Sequence, residues 1–158
     1  MRVGWRAEDL TEVDPFGMVD ITEKEVVHRT AEATGRILLK RETVNAIKTG
    51  TVKKGDPLAV AEIACIQAVK KTPDLIPMCH NIAIGAVNAN FTVGEDWVDV
   101  RCKVTATYRT GVEMEALTGV SVGLLTIWDM VKYLEKDEKG QYPTTKILNI
   151  QVTEKHKG

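Results

Sequence analysis

The sequence of 158 residues contains little cysteine. Cys65, Cys79 and Cys102 are its three thiols, and they form no CxxC pair and no cysteine–histidine cluster with zinc-like spacing. A chain of this length buries roughly 70% of its unfolded surface, so it can form a core without covalent cross-links. The composition argues against a disulfide scaffold and against structural zinc, and it predicts reduced thiols in a cytoplasmic protein.

Excess charge and long apolar runs are also missing. The net charge of −1 argues against nonspecific nucleic-acid binding, which depends on released counterions. No eighteen apolar residues follow one another, and the first residues lack the apolar stretch of a secretory signal. We therefore expect a protein that neither spans a membrane nor is exported. Residues 1–17 are predicted to be a mobile N-terminal arm, and residues 18–158 a single domain.

One long helix is the clearest element of the sequence. Apolar residues recur at spacings of three and four, which is the stripe of a helix on a core: Leu117, Val120, Leu124, Ile127, Val131 and Leu134. Thr110 and Glu113 have the spacing of a capping box, so the helix is predicted to begin near Gly111. Gly119 and Gly123 lie one turn apart and indicate that another backbone passes close to the helix.

The remaining patterns alternate between strands and helices. The predicted order is a strand over 28–40, a helix over 42–48, a helix over 58–71 ended by Pro73, strands over 82–93 and 98–108 joined by a hairpin, the long helix, and a last strand around 148–152. This order is typical of an α+β, ferredoxin-like antiparallel sheet with helices packed on one face. The other face is expected to meet solvent or a neighbour.

Several residues are candidates for chemistry, and each also has an ordinary structural explanation. The loop 72–80 is too apolar to be solvated, and it presents Cys79 and His80. By themselves, these two residues fit packing and loop hydrogen bonding better than they fit catalysis. Lysines at the turn 53–54 and the helix end 70–71 either remain solvated or hold phosphate.

Two acidic sites on the long helix are open to the same double interpretation. Glu113 belongs to the predicted capping box, whereas Glu115 lies about 200° around the helix, so only one of them can follow the core stripe. Asp129 and Lys132 form either a surface ion pair or a general acid–base pair in a partly dry site.

Five segments together resemble one known family. They are MVDI (18–21), KGD (54–56), TPDLIPMCH (72–80), TGVEMEAL (110–117) and DMVK (129–132). In order and spacing they resemble the cyclic pyranopterin monophosphate synthases of molybdenum-cofactor biosynthesis, the MoaC type. The resemblance extends from residue 18 to the C-terminus, although the tail 154–158 departs from the glycine-rich ending of many relatives.

The resemblance implies a lyase that converts 3',8-cyclo-7,8-dihydro-GTP to cyclic pyranopterin monophosphate and releases pyrophosphate. It implies catalytic roles for Asp129, Lys132 and Lys54. It implies substrate binding by eight residues: Met78, Cys79, His80, Glu113, Met114, Glu115, Lys70 and Arg29. We expect no metal ligands and no cofactor, and the sequence leaves open whether a divalent cation such as Mg²⁺ assists.

The resemblance also implies a homo-oligomer, a hexamer built as a trimer of dimers. Glu113 and Asp129 are about 24 Å apart along one helix, farther than the substrate spans, so the two ends are expected to meet across subunits. We place the Gly119/Gly123 face at that interface as a prediction.

Two other classes stay open on the residues alone. A ferredoxin-like RNA-binding module would need a stacking platform, and Phe91, Trp97 and Tyr108 are too few and too scattered to provide one. A sensor domain would bind the small molecule without converting it. We therefore expect a small-molecule substrate and no nucleic-acid partner.

Overall fold

The computed structural model describes residues 17–158, so the predicted arm lies outside the described residues except for Gly17. The elements in chain order are β1 (Val27–Leu38), α1 (Arg41–Thr49), α2 (Pro57–Leu75), β2 (Ile84–Val93), β3 (Trp97–Tyr108), α3 (Glu113–Glu135) and β4 (Lys146–Lys157).

The four strands form one antiparallel sheet in the order β2-β3-β1-β4. On β1, Ala31, Ala33, Gly35 and Ile37 are buried, and the residues that alternate with them are half-buried, as the alternating sequence predicts. α3 contacts β1, β3 and β4, while α2 contacts β2, so the helices share one face of the sheet. The α+β class is confirmed, and the strand order is compatible with a ferredoxin-like arrangement.

α3 is the central helix of the core. Its predicted stripe is buried at Val120, Leu124, Ile127 and Val131. By length and mean hydropathy, 1.3 over eighteen residues, α3 would also pass as a membrane span, but 56% of that window is buried within the protein. The apolar character of α3 is therefore that of a core helix.

The two glycines of α3 face α2 of the same chain. A Cβ atom at Gly123 would lie 2.5 Å from Cys65 Sγ of α2, and one at Gly119 would lie 2.8 Å from Cys102 Sγ of β3 and 3.0 Å from a Val69 methyl group of α2. The prediction that another backbone approaches is confirmed, but its placement at a subunit interface is wrong. A glycine pair reports close approach without identifying the chain that approaches.

The buried thiols belong to this same contact. Burial raises the pKa of Cys65 to about 11 and that of Cys102 to about 12, so both remain protonated at neutral pH. They pack as small apolar groups in the core.

One predicted helix end and one predicted helix cap are wrong. α2 continues through Pro73 to Leu75, because the preference that proline imposes on its predecessor is overridden by the packing of Thr72, which is fully buried. α3 begins at Glu113, with Val112 as its N-cap and no side-chain cap. The capping box is absent because Lys155 of β4 engages the Glu113 carboxylate instead.

A buried carboxylate fixes the other end of α3. Glu135 is fully buried and accepts hydrogen bonds from the backbone N–H of Lys40, the hydroxyl of Thr43 and the hydroxyl of Thr145, the last at 2.7 Å. A buried charge is tolerated when donors surround it. These bonds join the C-terminal turn of α3 to the start of α1 and to the loop before β4.

Candidate functional site

The predicted site residues fall into two groups, one at each end of α3. The N-terminal end of the helix borders a cavity of about 440 Å³. Six of the predicted substrate-binding residues line this cavity: Met78, Cys79, His80, Glu113, Met114 and Glu115. They converge because α2 runs antiparallel to α3, so the loop after α2 is delivered to the helix start.

The loop at 76–80 is held by hydrogen bonds. His80 Nε2 lies 2.8 Å from the carbonyl oxygen of Val19, and the N–H of Cys79 donates to the carbonyl of Ile76 at 3.0 Å. Burial, followed by the negative charge of Glu115, raises the pKa of the Cys79 thiol. Cys79 is therefore a neutral wall of the cavity rather than a thiolate nucleophile.

The two glutamates at the start of α3 have opposite electrostatic environments. Glu115 is 2% exposed, and burial, reinforced by the charge of Glu113, raises its pKa. Burial also acts to raise the pKa of Glu113, but a hydrogen bond from Lys155 at 2.6 Å and one from a backbone N–H outweigh it, so the net pKa is lowered. One carboxyl group is thus shifted towards its neutral form and its neighbour towards its ionised form.

A second cavity, of about 460 Å³, adjoins the first and shares Glu113. Cationic side chains dominate its lining: Lys24, Arg29, Arg109, Lys155 and Lys157. The Nε atoms of Arg29 and Arg109 are buried and have no hydrogen-bond partner among the described residues. This concentration of cations is suited to an anionic ligand.

Sequence reasoning selected only Arg29 from this group of cations. β4 continues to Lys157 and pairs with β1 so that Lys155 lies opposite Ala31 and Lys157 opposite Arg29. The sequence prediction ends the last strand near residue 152 and leaves 154–158 as a tail, whereas β4 continues to Lys157.

Asp129, Lys132 and Lys54 form the group at the C-terminal end of α3. Asp129 Oδ1 lies 2.9 Å from Lys132 Nζ, and Oδ2 lies 3.0 Å from Lys54 Nζ. Lys54 also donates to the Asp129 carbonyl oxygen at 3.1 Å. Hydrogen bonds from Lys132 and then Lys54 lower the pKa of Asp129, and the bond to Asp129 raises the pKa of Lys132.

This triad is on the surface of the single chain. The Asp129 side chain is 57% exposed, while Met130 and Val131 point into the core. A cavity of about 350 Å³ beside the triad is bordered by Leu125, Trp128 and Tyr142. Residues 17–158 of one chain therefore do not form the partly dry surroundings that the sequence predicts for Asp129 and Lys132.

The structure leaves the two groups apart. Glu113 and Asp129 are sixteen residues apart in one continuous helix, which corresponds to about 24 Å. Lys70 lies on an exposed position of α2 and lines neither of the cavities at the N-terminal end. Among residues 17–158, no group of three or more histidine, cysteine, aspartate or glutamate side chains could hold a metal ion.

Comparison with known proteins identifies the family. The MoaC family model matches residues 18–158. A protein of Thermococcus kodakarensis is 59% identical over 153 residues, covering 96% of this chain and 98% of that protein. One of Pyrococcus horikoshii is 61% identical over 94% of each chain.

A third relative is similar to the same extent. The protein of Methanosphaerula palustris is 60% identical, covering 92% of this chain and 94% of its own. Each of the three is named a probable cyclic pyranopterin monophosphate synthase. With the family match over its whole described domain, this chain belongs to the MoaC family.

Proposed function

We propose that this chain is a cyclic pyranopterin monophosphate synthase. As a lyase of molybdenum-cofactor biosynthesis, it converts 3',8-cyclo-7,8-dihydro-GTP to cyclic pyranopterin monophosphate and releases pyrophosphate. The observation that carries the proposal is the identity of 59–61% over nearly the full chain with proteins of that name. The arrangement of the predicted residues supports it, since six of them line one cavity.

The cationic cavity supports binding of the triphosphate. A multiply charged anion needs several cations, and Arg29, Arg109 and Lys155 surround one space with Glu113 at its border. In this proposal the phosphates enter the cationic cavity, and the purine-derived rings occupy the adjoining cavity beside His80.

Proton transfer is assigned to both ends of α3. At the C-terminal end, Asp129 serves as the catalytic acid with Lys132 as its partner, and Lys54 holds the same carboxyl group. Glu115, whose pKa is raised by burial, is a second donor near the rings. Neither end alone combines the anion-binding cations with the lysine–aspartate pair.

Product analysis tests the reaction directly. Purified protein is incubated with 3',8-cyclo-7,8-dihydro-GTP, and cyclic pyranopterin monophosphate and pyrophosphate are quantified by liquid chromatography and mass spectrometry. We expect the two products in equal amounts. Saturable binding without product would identify a sensor, and a gel shift with RNA would support the nucleic-acid alternative; either result would contradict the proposal.

We further propose that the active protein is a homohexamer, a trimer of dimers, with each site shared between two subunits. Exposed apolar side chains on the helices support an interface: Val60 and Ile63 on α2 and Leu125 on α3 are 42–58% exposed. Leu125 also borders the cavity beside Asp129. Sedimentation velocity should give the mass of six chains, and a fully active monomer would refute this.

No cofactor is assigned, and the protein is expected to act in the cytoplasm. Whether a divalent cation assists the departure of pyrophosphate is tested by measuring turnover after chelation with EDTA and after adding back Mg²⁺. Unchanged rates in both conditions support a reaction carried by side chains alone. Loss with EDTA and recovery with Mg²⁺ would show a metal requirement.

A further inference from the structure

Lys54 belongs to a short exposed turn, not to a helix or strand. The turn is closed by the hydrogen bond from the N–H of Gly55 to the carbonyl of Val52, at 3.1 Å, and Gly55 has a φ of 110°. A lysine side chain on such an exposed turn is flexible, whereas proton transfer requires the reacting groups to be held within about half an ångström of their productive positions. Something must hold the turn against α3.

The phenol of Tyr133 makes that connection. Its hydroxyl oxygen accepts a hydrogen bond from the backbone N–H of Lys53 at 2.9 Å, and the Lys53 ammonium lies 5.2 Å from the centre of its ring. Within residues 17–158, the only other hydrogen bonds from this turn to α3 are those that Lys54 itself makes to Asp129.

Tyr133 is also well placed on its helix. It follows Asp129 by four residues, so the two side chains lie one above the other on the same face of α3. Its ring is half-buried and packs against the core, which fixes the hydroxyl more firmly than an exposed side chain would be fixed. One turn of α3 therefore carries both Asp129 and Tyr133, the residue that bonds the turn on which Lys54 lies.

We propose that Tyr133 is a positioning residue, whose hydroxyl holds the turn at 52–55 so that the Lys54 ammonium stays on the Asp129 carboxylate. The inference rests on the proposed function for its effect on turnover, but its structural content does not depend on that function. The effect of Tyr133 is transmitted through Lys54, and it does not touch the substrate.

Tyr133→Phe removes one oxygen and retains the packed ring. We expect kcat to fall about five- to tenfold, the scale of one hydrogen bond, and the inhibition constant of pyrophosphate to rise less than in Lys54→Ala. In a Lys54→Ala background the same substitution should have no further effect on kcat, because the group it positions is gone. Lys48→Met changes an exposed lysine of α1 outside the site; it is the control and should leave kcat within twofold.

A measurement without substrate separates this inference from the proposed function. The Asp129 carboxyl is titrated by carbon-13 NMR in native protein, in Tyr133→Phe and in Lys54→Ala. We expect Tyr133→Phe to raise the pKa of Asp129 part of the way to its value in Lys54→Ala. An unchanged titration would overturn the inference. A shifted titration with an unchanged kcat would support the positioning of Lys54 by Tyr133, and it would overturn the catalytic role of Lys54.

Discussion

The two ends of α3 carry acidic groups in opposite surroundings. Glu115, in the first turn, is 2% exposed, and burial raises its pKa. Asp129, near the last turn, is 57% exposed at its side chain, and two lysines lower its pKa. Both belong to one helix, so the difference arises from what each end contacts.

The N-terminal end is built by packing. The loop 76–80 and the extended strand β4 close around it, so its cavity exists within one chain. The C-terminal end is built from ionic contacts on an exposed surface, where water weakens each pair. The C-terminal end of α3 is exposed in a single chain, although it is proposed to carry chemistry. A second subunit packed against this end is suited to complete the site.

The largest expected effect is at the exposed end. Asp129→Asn and Lys132→Ala are each expected to lower turnover about 10²–10⁴-fold, the usual contribution of a general acid–base group. Their exposure predicts an unchanged fold, so thermal unfolding should stay close to that of the native chain. Lys139→Ala, in the exposed loop after α3, is the control and should be fully active. A variant with near-native turnover would remove that residue from the mechanism.

An intermediate effect tests whether lysines outside the cationic cavity reach the phosphates. Lys54→Ala and Lys70→Ala should each raise the inhibition constant of pyrophosphate about tenfold, because each removes a cation from a multiply charged anion. Lys71→Ala changes the neighbouring lysine of α2, which lies 4.0 Å from Asp74, and is the matched control. If neither variant altered inhibition, phosphate binding would be confined to the cations around Arg29.

A smaller effect sharpens the contrast within the buried end. Because the folded pKa of Glu115 is raised, its contribution to stability is present below its unfolded pKa and is lost as pH rises through its folded pKa. The glutamine in the Glu115→Gln variant cannot ionise. The melting temperature of the variant should therefore increase relative to that of the native protein as pH rises from about 4. The measurement is thermal unfolding from about pH 3 to pH 7, a range that includes the acid region in which a carboxyl group of lowered pKa titrates.

Glu113→Gln is the matched comparison for that experiment. The folded pKa of Glu113 is lowered, so its contribution is present above its unfolded pKa and is lost as pH falls through the folded pKa. The melting temperature of this variant should therefore decrease relative to that of the native protein as pH rises. Slopes of the same sign for the two variants would contradict the assigned environments.

The smallest effect concerns Lys155. Lys155→Ala removes the partner of Glu113, so the pKa of Glu113 should rise towards its ordinary value. The variant should melt slightly lower than the native chain near pH 7, and the difference should vanish below the native pKa of Glu113. Lys146→Ala, at the other end of β4, is the control. A difference that persists in acid would indicate lost packing instead of a lost ion pair.

Much of the fold could be predicted from periodicity. Alternation identified β1 and β3, and the apolar stripe identified α3, because burial on one face leaves a repeat in the sequence. Helix ends were less predictable. The capping box predicted at Thr110 does not form, and the Glu113 carboxylate is bonded to Lys155, a residue far along the chain. No local sequence pattern predicts such a contact.

The site was predictable in composition but not in arrangement. Motif resemblance selected the residues of both ends, and the structure gathers six of them in one cavity. It also adds Lys24, Arg109 and Lys155, which belong to none of the motifs, and of these Lys155 is placed by the register of β4 on β1. Gly119 and Gly123 showed that a backbone was close, but only the coordinates identify it as α2.

The central claim is that one catalytic site joins the buried end of one subunit to the exposed end of another. It is tested most directly by mixing inactive Glu113→Ala chains with inactive Asp129→Asn chains in equal amounts, after dissociation and reassembly. With two-fold symmetric pairs, half of the pairs are mixed and each has one native site, so activity should return to about a quarter of native.

A matched mixture distinguishes this from sites confined to single chains. The double variant mixed equally with native chains should also give about a quarter of native activity if sites are shared, and about half if each chain forms its own site. Recovery to a quarter in both mixtures is the result expected here. No recovery in verified mixed oligomers of the single variants, with half activity in the control, would contradict the account.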